Sequence, residues 1–427
     1  MIETLNLKDL DIPEEKYDIL RNIANGDNVF ITGSAGTGKS YLLKLIKKIY
    51  DPYGFALTAS TGISAVQIGG VTIHSWAGIG KGDMPRERII EHLDSFKGSK
   101  QRKQIMAVRI LAIDEISMIS ADTFELLDYV LRYVRRVDAP FGGIQLILLG
   151  DFLQLPPVSH NEHYSRFCFE SNIWFDLKIK ICELKQIYRQ QDQRLVTLLN
   201  NLRLGMLTLD DRLILESRMN LDHSLLLIKP TLLTTHNYLA EEANQRELSS
   251  IPGKSFSFEQ QVTGIPSKIA FLQKYCLAPV RLELKINAQV MMIRNSYFKN
   301  GVINGSIGIV RDFTSKGFPI VEFDNNTILK IQPSEWEYVE IKPQTMQTEV
   351  KAMIRQLPLI HAWSITVHKS QGMTIDSILC DLGKLFENGQ SYVALSRVRS
   401  ISGLFMKSFD FNKVKAAPKA VEFYRFI

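Results

Sequence analysis

The sequence predicts an α/β protein of two parallel-sheet domains, with a small loop-rich insertion in the first and a small β-barrel insertion in the second. The basis is threefold. Short apolar runs each end in a polar turn, a glycine-rich loop sits between a strand and a helix, and a late stretch breaks into brief β runs. At 427 residues the chain exceeds one ordinary hydrophobic core, so two large domains are expected.

The first domain is laid out by Val29–Thr32, Phe55–Thr58, Val108–Ile113 and Ile144–Leu149. Such runs suit strands of a parallel sheet buried on both faces, with ligands gathered at their carboxyl ends. Between them, Asp122 to Arg136 reads as a helix in which Phe124, Leu127, Leu131 and Val134 share a face. Thr231–Thr235, Trp363–Val367 and Ile378–Asp381 repeat the style further on. From Ala288 to Val339 the pattern changes to short β runs parted by Gly, Asn and Asp. The expected layout is residues 1–66 and 103–180 for the first domain and 67–102 for its insertion. Residues 181–287 and 340–427 form the second domain, and 288–339 its β insertion.

Hydrophobic content of 45% and charged content of 22% describe a globular chain. No apolar run reaches the length of a membrane span, and the start (Met1 to Asn6) lacks a basic region followed by an apolar core. Cys168, Cys182, Cys276 and Cys380 are scattered without metal-ligand spacing, which points to free thiols in a reducing compartment. The net charge of +6 and pI of about 8.9 are compatible with a polyanionic partner. Two basic clusters, Lys97–Lys103 and Arg132–Arg136, read either as contact surface or as solvated faces.

The run G-S-A-G-T-G-K-S spans Gly33, Ser34, Ala35, Gly36, Thr37, Gly38, Lys39 and Ser40. It fits a phosphate loop, in which glycines let backbone N–H groups close around a triphosphate. Lys39 is expected on the β- and γ-phosphates and the Ser40 hydroxyl on Mg²⁺. Ile110 to Glu115 is an apolar strand ending in two acids. Beside a phosphate loop, Asp114 can hold Mg²⁺ through water, and Glu115 can orient or deprotonate the attacking water. Gln154, in G-D-F-L-Q-L-P-P after another buried strand, can report the γ-phosphate. Arg189 and Arg397 lie far downstream, and arginine's planar fork suits a transferring phosphoryl group.

These motifs, with H-K-S-Q-G-M-T (His368–Thr374) and Y-V-A-L-S-R (Tyr392–Arg397), occur in the order found in superfamily-one helicases. The segments Thr58–Ala65, Gly69–Ile79 and Pro140–Leu146 resemble more closely the PIF (petite integration frequency) family of 5′-to-3′ DNA helicases. The resemblance runs from about residue 11 to the C-terminus. It implies two RecA-like domains of the P-loop NTPase kind, with ATP between them and single-stranded DNA across their tops. It also implies insertions that separate or clamp strands.

Carried over residue by residue, Lys39, Ser40, Asp114, Glu115, Gln154, Arg189, Gly372 and Arg397 form the ATP site, with Tyr188 stacking on adenine. Thr58, Ser60, His74, Ser75, His368 and Ser370 fall on DNA-contacting motifs, and Trp76 is either a stacking platform or a buried core residue. One position departs from the family. Lys16 stands where a glutamine usually reads the adenine edge, and lysine has donors but no acceptor, so adenine selectivity is not expected from it.

The implied function is an ATP- and Mg²⁺-dependent 5′-to-3′ DNA helicase of genome maintenance, acting on single-stranded DNA and on forked or 5′-tailed duplexes. G-quadruplexes and RNA–DNA hybrids are further substrates of the family. A monomer, or a dimer on DNA, is expected, in the cytoplasm and nucleoid-associated if the source is prokaryotic. Two other readings stay open: a nucleotide-switched DNA remodeller or translocase without processive unwinding, and a metabolic kinase. The kinase leaves His368–Thr374 and Tyr392–Arg397 unexplained.

Overall fold

In the computed structural model, strand β1 (Val29–Thr32) is buried along its whole length and hydrogen-bonded on both sides. Residues 12–50, 54–80, 82, 84–157, 166–234, 236–341, 348–382 and 389–426 are described. Two sequence-based expectations, at Met1–Asn6 and at Thr235, lie outside them. The described chain packs as two units, one running up to Gln186 together with Glu337–Lys351, the other comprising Ile187–Trp336 and Ala352–Tyr424.

The first unit is built on a six-stranded parallel sheet. Its strands are β1, β2 (Phe55–Ala59), β3 (Val71–Thr72), β4 (Ile110–Asp114), β5 (Gln145–Leu149) and β6 (Lys180–Glu183), ordered β3-β2-β4-β5-β1-β6. The central strands are mainly apolar and buried on both faces, as a helix-covered parallel sheet requires. Helix α1 (Glu14–Ala24) precedes β1, α2 (Lys39–Tyr50) follows β1 and α3 (Gly62–Ile68) follows β2. Leu42, Leu43, Ile46, Ile49 and Tyr50 of α2 pack into the main core. Burial of that many aliphatic side chains contributes about 1.5–3 kcal/mol each relative to exposure.

The stretch expected to be loop-rich instead holds three short helices, α4 (Ile73–Ala77), α5 (Arg86–Asp94) and α6 (Ser99–Ala107). They are set by local signals: Thr72 caps α4 by accepting from the Ser75 N–H, and Pro85 precedes α5. Helices this short show little periodicity, which hid them from sequence pattern. In α7 (Ala121–Arg135), Phe124, Leu127, Leu131 and Val134 are buried on one face, and Ser120 caps the N-terminus.

The second unit has a four-stranded parallel sheet and antiparallel β structure. Along the chain come β7 (Thr231–Thr234), β8 (Phe256–Glu259), β9 (Gln261–Gly264), β10 (Arg281–Leu284), β11 (Gln289–Met292), β12 (Ile307–Phe313) and β13 (Pro319–Phe323). Then follow β14 (Ile328–Lys330), β15 (Ser334–Ile341) and β16 (Thr348–Gln356), the last two lying partly in the Glu337–Lys351 segment of the first unit, and β17 (Leu359–His361), β18 (Ser364–Thr366), β19 (Ile378–Leu382) and β20 (Leu404–Phe409). The parallel sheet is ordered β18-β7-β19-β20. A five-stranded antiparallel sheet runs β14-β13-β12-β11-β17. Its last strand comes from residues expected in the parallel-sheet domain, because β17 pairs back onto β11 across a long loop of chain.

Among the described residues no helix is long and apolar enough to cross a membrane. All four cysteines are unpaired; Cys168, Cys276 and Cys380 are buried and Cys182 half-buried.

Candidate functional site

The loop between β1 and α2 turns on three left-handed glycines, with φ of +145° at Gly33, +87° at Gly36 and +89° at Gly38. A Cβ on Gly33 would lie 2.5 Å from the Leu184 carbonyl oxygen, so no side chain fits there. Thr37 Oγ1 donates to the Ser34 carbonyl at 2.9 Å, bracing the loop from within. Lys39 Nζ donates to the carbonyls of Gly33, at 2.7 Å, and Ser34, at 3.1 Å. Ala35 and Thr37 are buried, and Ser40 lies at the exposed first turn of α2, whose N-terminus favours anions.

Asp114 ends β4 and is buried, with Oδ1 accepting from the Glu115 N–H at 3.0 Å. Burial, and then the adjacent Glu115 carboxylate, push its pKa up to about 7, against opposing pulls from the Glu115 N–H and from Lys39. Glu115 itself sits in the left-handed region at φ +53°, which re-aims the chain at the strand's end. Gln154 is buried, and its Nε2 donates to Asp151 Oδ2 at 3.2 Å. Asp151 is fully buried and also accepts from the Leu153 N–H, so it positions Gln154. Sequence reasoning passed over Asp151, although it stands in the same G-D-F-L-Q motif.

In the second unit Arg189 donates from Nε to Thr374 Oγ1 and from Nη1 to the Ser396 carbonyl, both at 3.0 Å. Gln190 Nε2 donates to the carbonyls of Ser396 and Val398. Arg397 is only 2% exposed; its Nε donates to the Val393 carbonyl at 2.7 Å and Nη2 to Ser396 Oγ at 2.9 Å. Ser396 therefore fixes both arginines, a role the sequence did not suggest. Burial, and then the nearby Arg397 charge, pull the Arg189 pKa down to about 9. Tyr188 is exposed, as a ring offered for stacking must be, and Gly372 is exposed at φ +79°.

The expected DNA-contacting residues divide. His74 is half-buried, with its pKa lowered by burial, and Ser75 is exposed. His368 is half-buried, in the turn two residues beyond the end of β18. Ser60 is half-buried, and its hydroxyl oxygen is shielded without a hydrogen-bond partner among the described residues. Three of these side chains lie inside the protein. Thr58 is fully buried in β2, where its hydroxyl donates to the Ala112 carbonyl at 2.7 Å. Ser370 is fully buried, and its hydroxyl donates to the Val367 carbonyl at 2.8 Å. Trp76 is 5% exposed, the setting of a buried core residue, one of the two readings its sequence leaves open. In each case packing of a short element took the side chain inward.

The PIF1-like helicase family profile matches residues 12–205, and the profile for the 2B domain of DNA helicase Pif1 matches residues 271–313. The human ATP-dependent DNA helicase PIF1 is 40% identical over 97% of this chain and 63% of its own length. The crystal structure of the Pif1 helicase from Candida albicans is 37% identical, covers 98% of this chain and 99% of that one, and superposes with a TM-score of 0.72. The Bacteroides Pif1 helicase solved with ADP-AlF3 and single-stranded DNA is 30% identical, covers 98% of this chain and 97% of that one, and has a TM-score of 0.64.

The chain belongs to the Pif1 helicase family.

It spans a little under two thirds of the length of the curated Pif1 relatives. Membership accounts for the two parallel sheets as RecA-like domains and places part of the antiparallel β structure in a Pif1-type 2B domain. The Lys16 departure has a structural setting. Lys16 is buried, with its ammonium 5.2 Å from the Tyr41 ring centre, directly after the phosphate loop.

Proposed function

We propose that the chain is an ATP-dependent 5′-to-3′ DNA helicase that translocates on single-stranded DNA and opens forked or 5′-tailed duplexes. The observation that carries the proposal is the phosphate loop beside an acid pair, Asp114 buried and Glu115 half-buried, in a chain of the Pif1 family. The Bacteroides relative bound to ADP-AlF3 and single-stranded DNA supports both ligands.

In this reading Gly33, Ser34, Ala35, Gly36, Thr37 and Gly38 supply backbone N–H groups to the phosphates. Lys39 exchanges the Gly33 and Ser34 carbonyls for phosphate oxygens. Ser40 and Asp114 would hold Mg²⁺. One hydroxyl and one carboxylate suit it, because Mg²⁺ takes few protein ligands and completes its shell with waters and phosphates. A buried carboxylate beside a second one is also what a divalent cation relieves. When bound, the ion neutralises charge developing on the phosphates.

Glu115 orients and deprotonates the attacking water, and Gln154, held by Asp151, senses the γ-phosphate. Arg189 and Arg397 are two close cations whose mutual repulsion an anionic phosphoryl group removes. Tyr188 stacks on the base, Gly372 lines the site, and His74, Ser75 and His368 bind the DNA backbone. Opening one base-pair step costs about 1.4 kcal/mol on average, within the roughly 1–3 kcal/mol that coupled sites ordinarily exchange. The proposal includes a monomer joined by a second copy on DNA. It also includes a cytoplasmic, nucleoid-associated setting if the source is prokaryotic, with the unpaired cysteines supporting a reducing compartment.

The test is unwinding of matched duplexes bearing a 5′ or a 3′ single-stranded tail, with ATP and Mg²⁺. Opening of the 5′-tailed duplex alone is expected. Opening of the 3′-tailed duplex refutes the polarity. DNA-stimulated ATPase without opening of either replaces the helicase by a translocase or remodeller.

A further inference from the structure

The two basic clusters of the sequence, some thirty residues apart, meet in the first unit. They line a cleft of about 760 Å³ between the end of α5, helix α6 and the end of α7. Leu93, Met106 and Val134 contribute apolar lining, with Leu93 and Val134 buried beneath and Met106 54% exposed. Arg102, Lys103, Arg135 and Arg136 face it, against one carboxylate, Asp94.

The roles of these charges differ. Arg135 is structural: its guanidinium donates to the carbonyls of Gly142, Ile105 and Val108. Asp94 is already satisfied, by Arg102 Nη1 at 3.0 Å and the Tyr133 hydroxyl at 2.7 Å. Lys103 and Arg136 are exposed and make no ion pair among the described residues. The cleft therefore presents net positive charge over an apolar floor with a flexible thioether, which adapts to varied apolar shapes.

We infer that this cleft binds an acidic peptide segment of a partner protein, an apolar side chain entering over Met106 and flanking carboxylates pairing with Lys103, Arg136 and Arg102. Charge complementarity sets the sign of the partner. The lining sets its class: none of the residues that line the cleft is aromatic, and Tyr133 beside it has its hydroxyl on Asp94, whereas single-strand sites are built on stacking rings. Its volume suits a few residues of a peptide rather than the span of a duplex. The site lies apart from the phosphate loop and the acid pair in sequence and does not depend on the helicase reading.

The experiment is fluorescence anisotropy of a labelled hexapeptide, Asp-Glu-Leu-Phe-Asp-Glu, titrated with the full chain at low salt. Saturable binding is expected, weakened at least about tenfold in Lys103→Glu/Arg136→Glu and also weakened in Met106→Asp. DNA-stimulated ATPase and melting temperature should stay at wild-type levels in the double variant. Absence of saturable binding, or binding indifferent to both variants, overturns the inference. So does loss of DNA-stimulated ATPase in the folded double variant together with displacement of the peptide by oligo-dT, which makes the cleft a nucleic-acid track. Failure of the wild-type ATPase itself would bear on the helicase proposal alone.

Discussion

Replacing Gly33 with alanine tests the phosphate loop through two costs that can be separated. The new Cβ would stand 2.5 Å from the Leu184 carbonyl oxygen, 3.0 Å from Thr37 Oγ1 and 3.2 Å from Leu184 Cβ. Ordinary contact begins near 3.4 Å, so the overlap with backbone is roughly 0.9 Å. Leu184 cannot yield cheaply, because its N–H donates to the Thr32 carbonyl at 2.8 Å and its side chain is in the core. Overpacking of this kind costs about 1–3 kcal/mol. The φ of +145° adds about 1–3 kcal/mol for a residue with a Cβ. Together they predict a loss of roughly 2–6 kcal/mol, and a fall in melting temperature of at least roughly 4 °C for a unit of this size. Gly26→Ala is the control: φ is +85° there but nothing lies within 4 Å of a Cβ, so only the backbone cost applies. Thermal melts without nucleotide, and titration with a fluorescent ATP analogue, read both variants. Equal melting of the two variants with unimpaired nucleotide binding by Gly33→Ala would refute the steric reasoning.

Glu115→Gln should lower the ATPase rate by about 10²–10⁴-fold while keeping nucleotide affinity; normal turnover in a steady-state assay removes its role as base. Asp114→Asn should stabilise the metal-free protein at pH 8. The Asp114 pKa is raised to about 7 by burial and then Glu115, so the folded state holds the proton more tightly than the unfolded chain. That contribution is fully present below about pH 4 and is lost as pH rises through 7. Melts at pH 4.5 and pH 8 should therefore show a stabilisation that grows with pH, and a pH-independent difference contradicts it. Thr58→Val should cost about 1 kcal/mol, from the lost bond to the Ala112 carbonyl. The salt dependence of DNA binding should not change in this variant; a shallower salt slope would return Thr58 to the DNA surface.

The parts of the molecule that sequence revealed are those set by neighbours in the chain. The phosphate loop, the strand ending in Asp114 and Glu115, and the apolar face of α7 follow from local pattern, and the structure has them in those forms. Side-chain direction did not follow. Thr58, Ser370 and Trp76 stand in recognisable motifs, yet a motif does not say which side of a short strand, turn or helix meets the core. Long-range pairing was equally hidden: β17 belongs to the antiparallel sheet only because its backbone pairs with β11. The same holds for Ser396, whose carbonyl and hydroxyl serve two arginines more than two hundred residues apart in sequence.

The flanking of β1 by β5 and β6 has a consequence for how the loop after it can move. A strand bonded on both edges and buried on both faces opens only with the unit as a whole, so amide hydrogens of Phe30 and Ile31 should exchange at the slowest rates the first unit allows. Ser34 to Gly38 belong to no strand, so their amides can exchange through local opening. The loop thus hinges on a fixed pier, and any rearrangement that grips a phosphate is confined to a handful of peptide planes rather than shared with the sheet beneath.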